Sequence, residues 1–78
     1  QSDGTVRPQN AIGVSGVVYL TVPPRRMGHG KVSVLVQERL CELDAVTDEE
    51  QPIPTGCEVV IVALSGQSTL VVCKKDRQ

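Results

Sequence analysis

Three cysteines, Cys41, Cys57 and Cys73, and a single histidine, His29, are the side chains in this chain best suited to metal or redox chemistry. The cysteines are evenly spaced but form no Cys-x-x-Cys pair, and structural zinc sites gather their ligands in close pairs from tight turns. One histidine does not complete a set. By the burial habits of free thiols, the three read as small apolar fillers of a core. A reactive thiol needs a nearby cation or helix N-terminus to lower its pKa. Only Cys73, beside Lys74, has a basic neighbour directly next to it in sequence. His29 stands between Gly28 and Gly30, with no Ser, Cys or carboxylate placed by the sequence to use it as a base. It reads as an exposed loop residue.

Gly28-His29-Gly30-Lys31 superficially suggests a phosphate cradle. A P-loop needs Gly-x-x-x-x-Gly-Lys-Ser/Thr opening a helix, and here a strand-forming run follows. Arg25-Arg26 could touch acidic head groups or a partner, but two charges add only about 2 kcal/mol of attraction to an acidic membrane. Asp48-Glu49-Glu50 lacks the spaced loop from which calcium sites draw their oxygens, and reads as solvated surface. Ser15, Ser33, Ser65 and Ser68 have no Gly-x-Ser-x-Gly context. These residues support neither an enzyme nor a bound metal or cofactor.

The elements that must position these residues are strands. Five runs rich in Val, Leu, Ile and Thr, each bounded by turn chemistry, span Val14–Val22, Lys31–Gln37, Leu40–Thr47, Cys57–Leu64 and Thr69–Cys73. In the first, the period-two rule puts Val18, Leu20 and Val22 on one face. Gly16 signals a bulge or a close backbone approach, and Pro23-Pro24 ends the run. Arg25–Gly30 is a glycine-rich loop. In the second run Val32, Val34 and Val36 point inward. Glu38-Arg39 makes a short reversal into the third, which predicts a hairpin. There Cys41, Leu43 and Ala45 face in, and Leu40, Glu42, Asp44 and Val46 face out. Pro52 and Pro54 make the connection from Asp48 to Gly56 a loop. The fourth run is apolar on both faces, which predicts the most buried strand.

At 78 residues the chain is one domain. A domain this small buries only about 60% of the surface of its unfolded chain. Residues 1–12 read as a flexible lead-in, 13–75 as the barrel and 76–78 as a charged tail. Phe and Trp are absent and Tyr19 is the only aromatic residue. The formal net charge is −1, with both signs spread along the chain. No basic stripe tracks a phosphate backbone, and no apolar run approaches the ~20 residues of a spanning helix. An odd set of cysteines fits a reducing compartment, the cytosol or the cytosolic side of a membrane. Five strands in so short a chain predict an all-β fold, a small five-stranded barrel.

Gly13-Val14-Ser15-Gly16-Val17-Val18-Tyr19-Leu20, Pro23-Pro24 and Gly30-Lys31-Val32-Ser33-Val34 together resemble the C-terminal soluble domain of NfeD-like membrane proteins. Leu43–Asp48, Ile53-Pro54-Thr55-Gly56 before the Val-rich run to Val62, and Thr69-Leu70-Val71-Val72 extend the resemblance over about Gly13 to Lys74. The resemblance implies an OB-like barrel hung on membrane-spanning helices outside this sequence, probed by partners and not by substrates. It implies a non-catalytic interaction domain with a stomatin- or flotillin-type scaffold as partner; the cysteines add the expectation that the domain lies on the cytoplasmic side. The expected docking surface is the Pro23–Gly30 loop with Tyr19, Arg25, Arg26 and Val71. The competing reading is a single-stranded nucleic acid binder, a common use of OB-folds. Such sites combine a positive groove with stacking aromatics. One tyrosine and a slightly acidic balance argue against a nucleic acid partner.

Overall fold

A computed structural model of the chain describes residues 11–36, 38–66 and 68–75. Five strands are present: β1 (Ser15–Leu20), β2 (Gly30–Val36), β3 (Arg39–Val46), β4 (Glu58–Ser65) and β5 (Thr69–Lys74). Between β1 and β2 lies a single 3-10 turn at Pro24–Arg26. The strands close into a barrel in the order β1-β2-β3-β5-β4. Every neighbouring pair is antiparallel except β3–β5. The expected all-β, OB-like architecture is the one observed, and each strand lies within two residues of its expected span. Closure through β1–β4 gives each of the five strands a neighbour on both sides for at least part of its length.

Val32, Val34 and Val36 of β2 are buried as the alternation requires. With Val18, Val59, Ile61 and Leu70 they build an interior without aromatic rings. Branched aliphatic side chains are stiff and fit a pleated surface.

The alternation fails where strands bulge. Val18 pairs with Val32 and Leu20 with Lys31, so β1 carries one extra residue at Tyr19. Val18 is buried, but Leu20, expected beside it on the inner face, is 49% exposed. Val22 returns to the core through a two-bond bridge to Ile53, 3.0 Å in each direction. Of the two roles expected of Gly16, the bulge falls to Tyr19. Gly16 instead marks a close approach, since a Cβ there would lie 2.8 Å from the Ser33 carbonyl oxygen. Gly30 is constrained in the same way: a Cβ would run into the carbonyl oxygens of Leu20 and Thr21, where bulged β1 crosses the start of β2.

A second bulge sits in β4, where Ile61 pairs with Val72 and Ala63 with Val71. The extra residue, Val62, is 49% exposed. β4 is thus not the most buried strand. β5, with Leu70, Val71 and Val72 all buried, has the stronger claim. Val46, expected outside, is buried because the parallel pairing places it beside Val71.

The expected lead-in lies mostly outside the described residues, but its end is structured. Ala11 is fully buried, and the Gly13 N–H donates to the Ile61 carbonyl at 2.7 Å. Ile53, between two prolines in the β3–β4 connection, is also fully buried and packs into the core.

Candidate functional site

Two parts of the surface stand out. The first is the outer face of the β2–β3 hairpin. Leu35 and Leu40 are directly paired across the strands, and are 59% and 73% exposed. Val17 lies across β1–β2 opposite Ser33, one outward position from Leu35, and is half-exposed. Polar pairs frame this apolar centre: Ser33 faces Glu42, and Lys31 reaches Asp44 at 2.8 Å. The hydrogen bond and charge of Lys31 hold the Asp44 carboxyl below its ordinary pKa, and Asp44 holds the Lys31 ammonium above its own. An apolar centre inside a polar rim is the anatomy of a protein contact. Burying one such leucine contributes about 1.5–3 kcal/mol.

The second part is the seam between β3 and β5. The strands pair only at Ala45–Leu70 and Val46–Val71. Past Val46 the chain leaves β3, and an open groove follows. Thr47, Asp48, Glu49, Val62, Val71, Val72 and Cys73 line it. The buried Thr47 hydroxyl accepts from the Glu49 N–H at 3.1 Å and shapes this corner. The Glu49 carboxylate in turn accepts from the Lys74 N–H at 3.1 Å.

The Pro24–Arg26 turn is stitched onto the same corner. Arg25 N–H donates to the Glu49 carbonyl at 2.9 Å, and Arg26 N–H to the Thr47 carbonyl at 2.8 Å. The Arg26 guanidinium grips Asp48 through two bonds, 2.7 and 3.2 Å, and Arg25 lies 3.8 Å from Glu50. Arg25 and Arg26 both have φ of 54°, a left-handed value that costs a non-glycine residue roughly 1–2 kcal/mol. The bonds to segment 47–50 hold them there.

Of the four residues expected to form one docking surface, three therefore meet around segment 47–50. Arg25 and Arg26 bind it, and Val71 lines its groove. Val71 is a buried groove residue, 5% exposed, and presents no open face. Tyr19, half-exposed at the β1 bulge, does not line that groove. The acidic tract is solvated at Asp48 and Glu50, as expected, and is also the arginines' partner. Sequence reasoning placed Leu40 outside but did not single it out with Leu35. The available signal was parity, since both sit at outward positions of an alternating hairpin.

His29 is exposed, as expected of a loop residue. All three thiols are free and half-buried. Cys73 fits the reading of a small apolar filler: burial, and then the Glu49 carboxylate, push its thiol up in pKa, so Lys74 does not activate it. Among the described residues no cluster of His, Cys, Asp or Glu could hold a metal ion. No helix among them is long and apolar enough to cross a membrane.

No protein-family model and no curated protein matches the chain. Solved structures do. The C-terminal domain of stomatin operon partner protein 1510-C from Pyrococcus horikoshii superimposes with a TM-score of 0.69 at 24% identity, over 90% of this chain and 95% of that one. The soluble domain of the NfeD protein YuaF from Bacillus subtilis gives 0.66 at 26% identity, over 85% and 75%. The soluble domain of a membrane protein implicated in regulation of membrane protease activity, from Corynebacterium glutamicum, gives 0.63 at 17%, over 88% and 98%. The chain shares the fold of these soluble domains, one of them that of an NfeD protein.

Proposed function

We propose that this chain is a non-catalytic docking domain that binds a stomatin- or flotillin-type membrane scaffold through the outer face of the β2–β3 hairpin. The exposed Leu35–Leu40 pair carries this reading. A closed barrel cannot bind by lending a sheet edge at this hairpin, so a contact there must use side chains. That one domain of the same fold belongs to a stomatin operon partner protein supports the choice of scaffold. In this reading helices outside the chain attach the domain to a membrane, with the barrel and its three free thiols on the cytoplasmic side.

Calorimetric titration of the domain against a purified stomatin-type protein tests the proposal. Replacing both leucines (Leu35→Ser with Leu40→Ser) weakens binding at least about tenfold, since two leucines at the centre of a contact exceed the ~1.4 kcal/mol that a decade requires. Undiminished binding by the double variant overturns the assignment of the face. Tight binding of a labelled single-stranded oligonucleotide at low salt overturns the assignment of the partner.

A further inference from the structure

β5 runs to Lys74, but β3 accompanies it only as far as Val46–Val71. The flank of β5 from Val72 to Lys74 thus has no strand beside it on that side. The backbone shows the gap directly. Lys75 N–H turns to β4 and donates to the Glu58 carbonyl at 3.0 Å, while Lys74 N–H turns the other way and finds a side chain, the Glu49 carboxylate. An amide held by a side-chain oxygen at the end of a ladder is a donor that an incoming backbone carbonyl can take over.

The groove beside this flank has a volume of about 340 Å³, within the roughly 300–1,000 Å³ common among ligand sites. Val62 and Val71 give it apolar walls. Its charge is selective. Arg26 neutralises Asp48 and Arg25 lies against Glu50, whereas no side-chain cation among the described residues comes within ion-pair distance of Glu49. One acid is left for a cation from outside.

We propose that the β3–β5 seam receives an extended segment of another protein in which Lys or Arg alternates with Val, Leu or Ile. Its backbone pairs with the Val72–Lys74 flank, its aliphatic side chains cover the half-exposed Val62, and its cation meets Glu49. An extended strand turns successive side chains to opposite sides, so such an alternation offers apolar groups to the groove and cations to its rim. This is strand addition confined to one short gap in a closed barrel. The seam lies apart from Leu35 and Leu40 and does not depend on them.

The test is titration of the isotopically labelled domain with a short acetylated peptide of alternating Lys and Val, followed by amide NMR. The expected result is shifts centred on the Val72, Cys73 and Lys74 amides, and none with the matching Glu–Val peptide. Glu49→Gln keeps an acceptor for the Lys74 N–H, so the fold stands, but it weakens the peptide about fivefold, the worth of ~1 kcal/mol from a partly exposed ion pair. The double variant at Leu35 and Leu40 binds the peptide as the parent does. The proposal is overturned if those three amides do not move, if the Glu–Val peptide binds equally, if Glu49→Gln changes nothing, or if loss of the leucines abolishes binding.

Discussion

The ladder between β2 and β3 runs unbroken from Gly30–Ala45 to Val36–Arg39, whereas β3 and β5 meet only at Ala45–Leu70 and Val46–Val71. The same barrel is thus held in two ways. In the hairpin, backbone bonds and strict alternation suffice, and the outer face is left free to carry leucines. At the seam, side chains replace the missing ladder, Arg26 on Asp48 and Glu49 on the Lys74 amide, and the connection that follows is tied by an isolated backbone bridge, Ile53 to Val22. Regular pairing leaves an outer face of side chains free, while irregular pairing leaves the closing of the fold to polar side chains, of which Arg26 and Asp48 satisfy each other.

That contrast can be broken most sharply at Ile53. If the connection after β3 were a passive loop, truncating it would be nearly harmless. Because Ile53 is fully buried in the core, Ile53→Ala should cost about 2–5 kcal/mol, as Ile61→Ala in β4 should. Urea midpoints of the two variants give the comparison, and a loss below about 1 kcal/mol at Ile53 would return that segment to the status of a loop.

A smaller effect is expected at the hairpin turn. Glu38 has φ of 64°, and glycine occupies that region without the strain a side chain brings. Glu38→Gly should stabilise the domain by about 0.5–1 kcal/mol, part of the relief being offset by the freer unfolded chain. Thermal unfolding measures it. A destabilised variant would mean that the Glu38 side chain, and not the ladder, holds the turn.

The smallest effect concerns Lys31 and Asp44 on the hairpin's outer face. Asp44 is lowered from 3.8, so its contribution is present above that pH and fades as pH falls below it. Lys31 is raised from 10.5, so its contribution is present below that pH and fades as pH climbs past it. Between the two limits the pair adds a constant amount. Asp44→Asn should flatten the acid limb of a stability–pH curve and leave the neutral plateau nearly level. An unchanged acid limb would show that the pair is not held in solution.

The same division decides what the amino-acid sequence makes legible. Strand positions, the hairpin and the inward valines of β2 follow from parity and turn residues, and the structure agrees with them. The bulges at Tyr19 and Val62 do not, because an inserted residue in a ladder need not differ in type from its neighbours. Leu20 and Val46 were misplaced for that class of reason: one follows a bulge, and the other lies in a parallel pair formed with a distant strand. Ile53 was hidden by its prolines, which signal a loop and say nothing of whether the loop fills the barrel. The clasp between the arginines and the acids was hidden by distance, since Arg26 and Asp48 are 22 residues apart. Of the site, the leucine face was open to reasoning by parity, and the groove was not.

Ser15 opens the first strand and Lys75 follows the last, yet the Lys75 ammonium lies 3.2 Å from the Ser15 hydroxyl. The start of β1 and the end of β5 therefore flank the same strand, β4, at one end of the barrel. Polypeptide fused before and after it would depart from a common doorway, so a host protein could accommodate the domain within a surface turn without separating its own flanking segments. Attached in that manner, the barrel would stand off its host like a bead on a loop of thread.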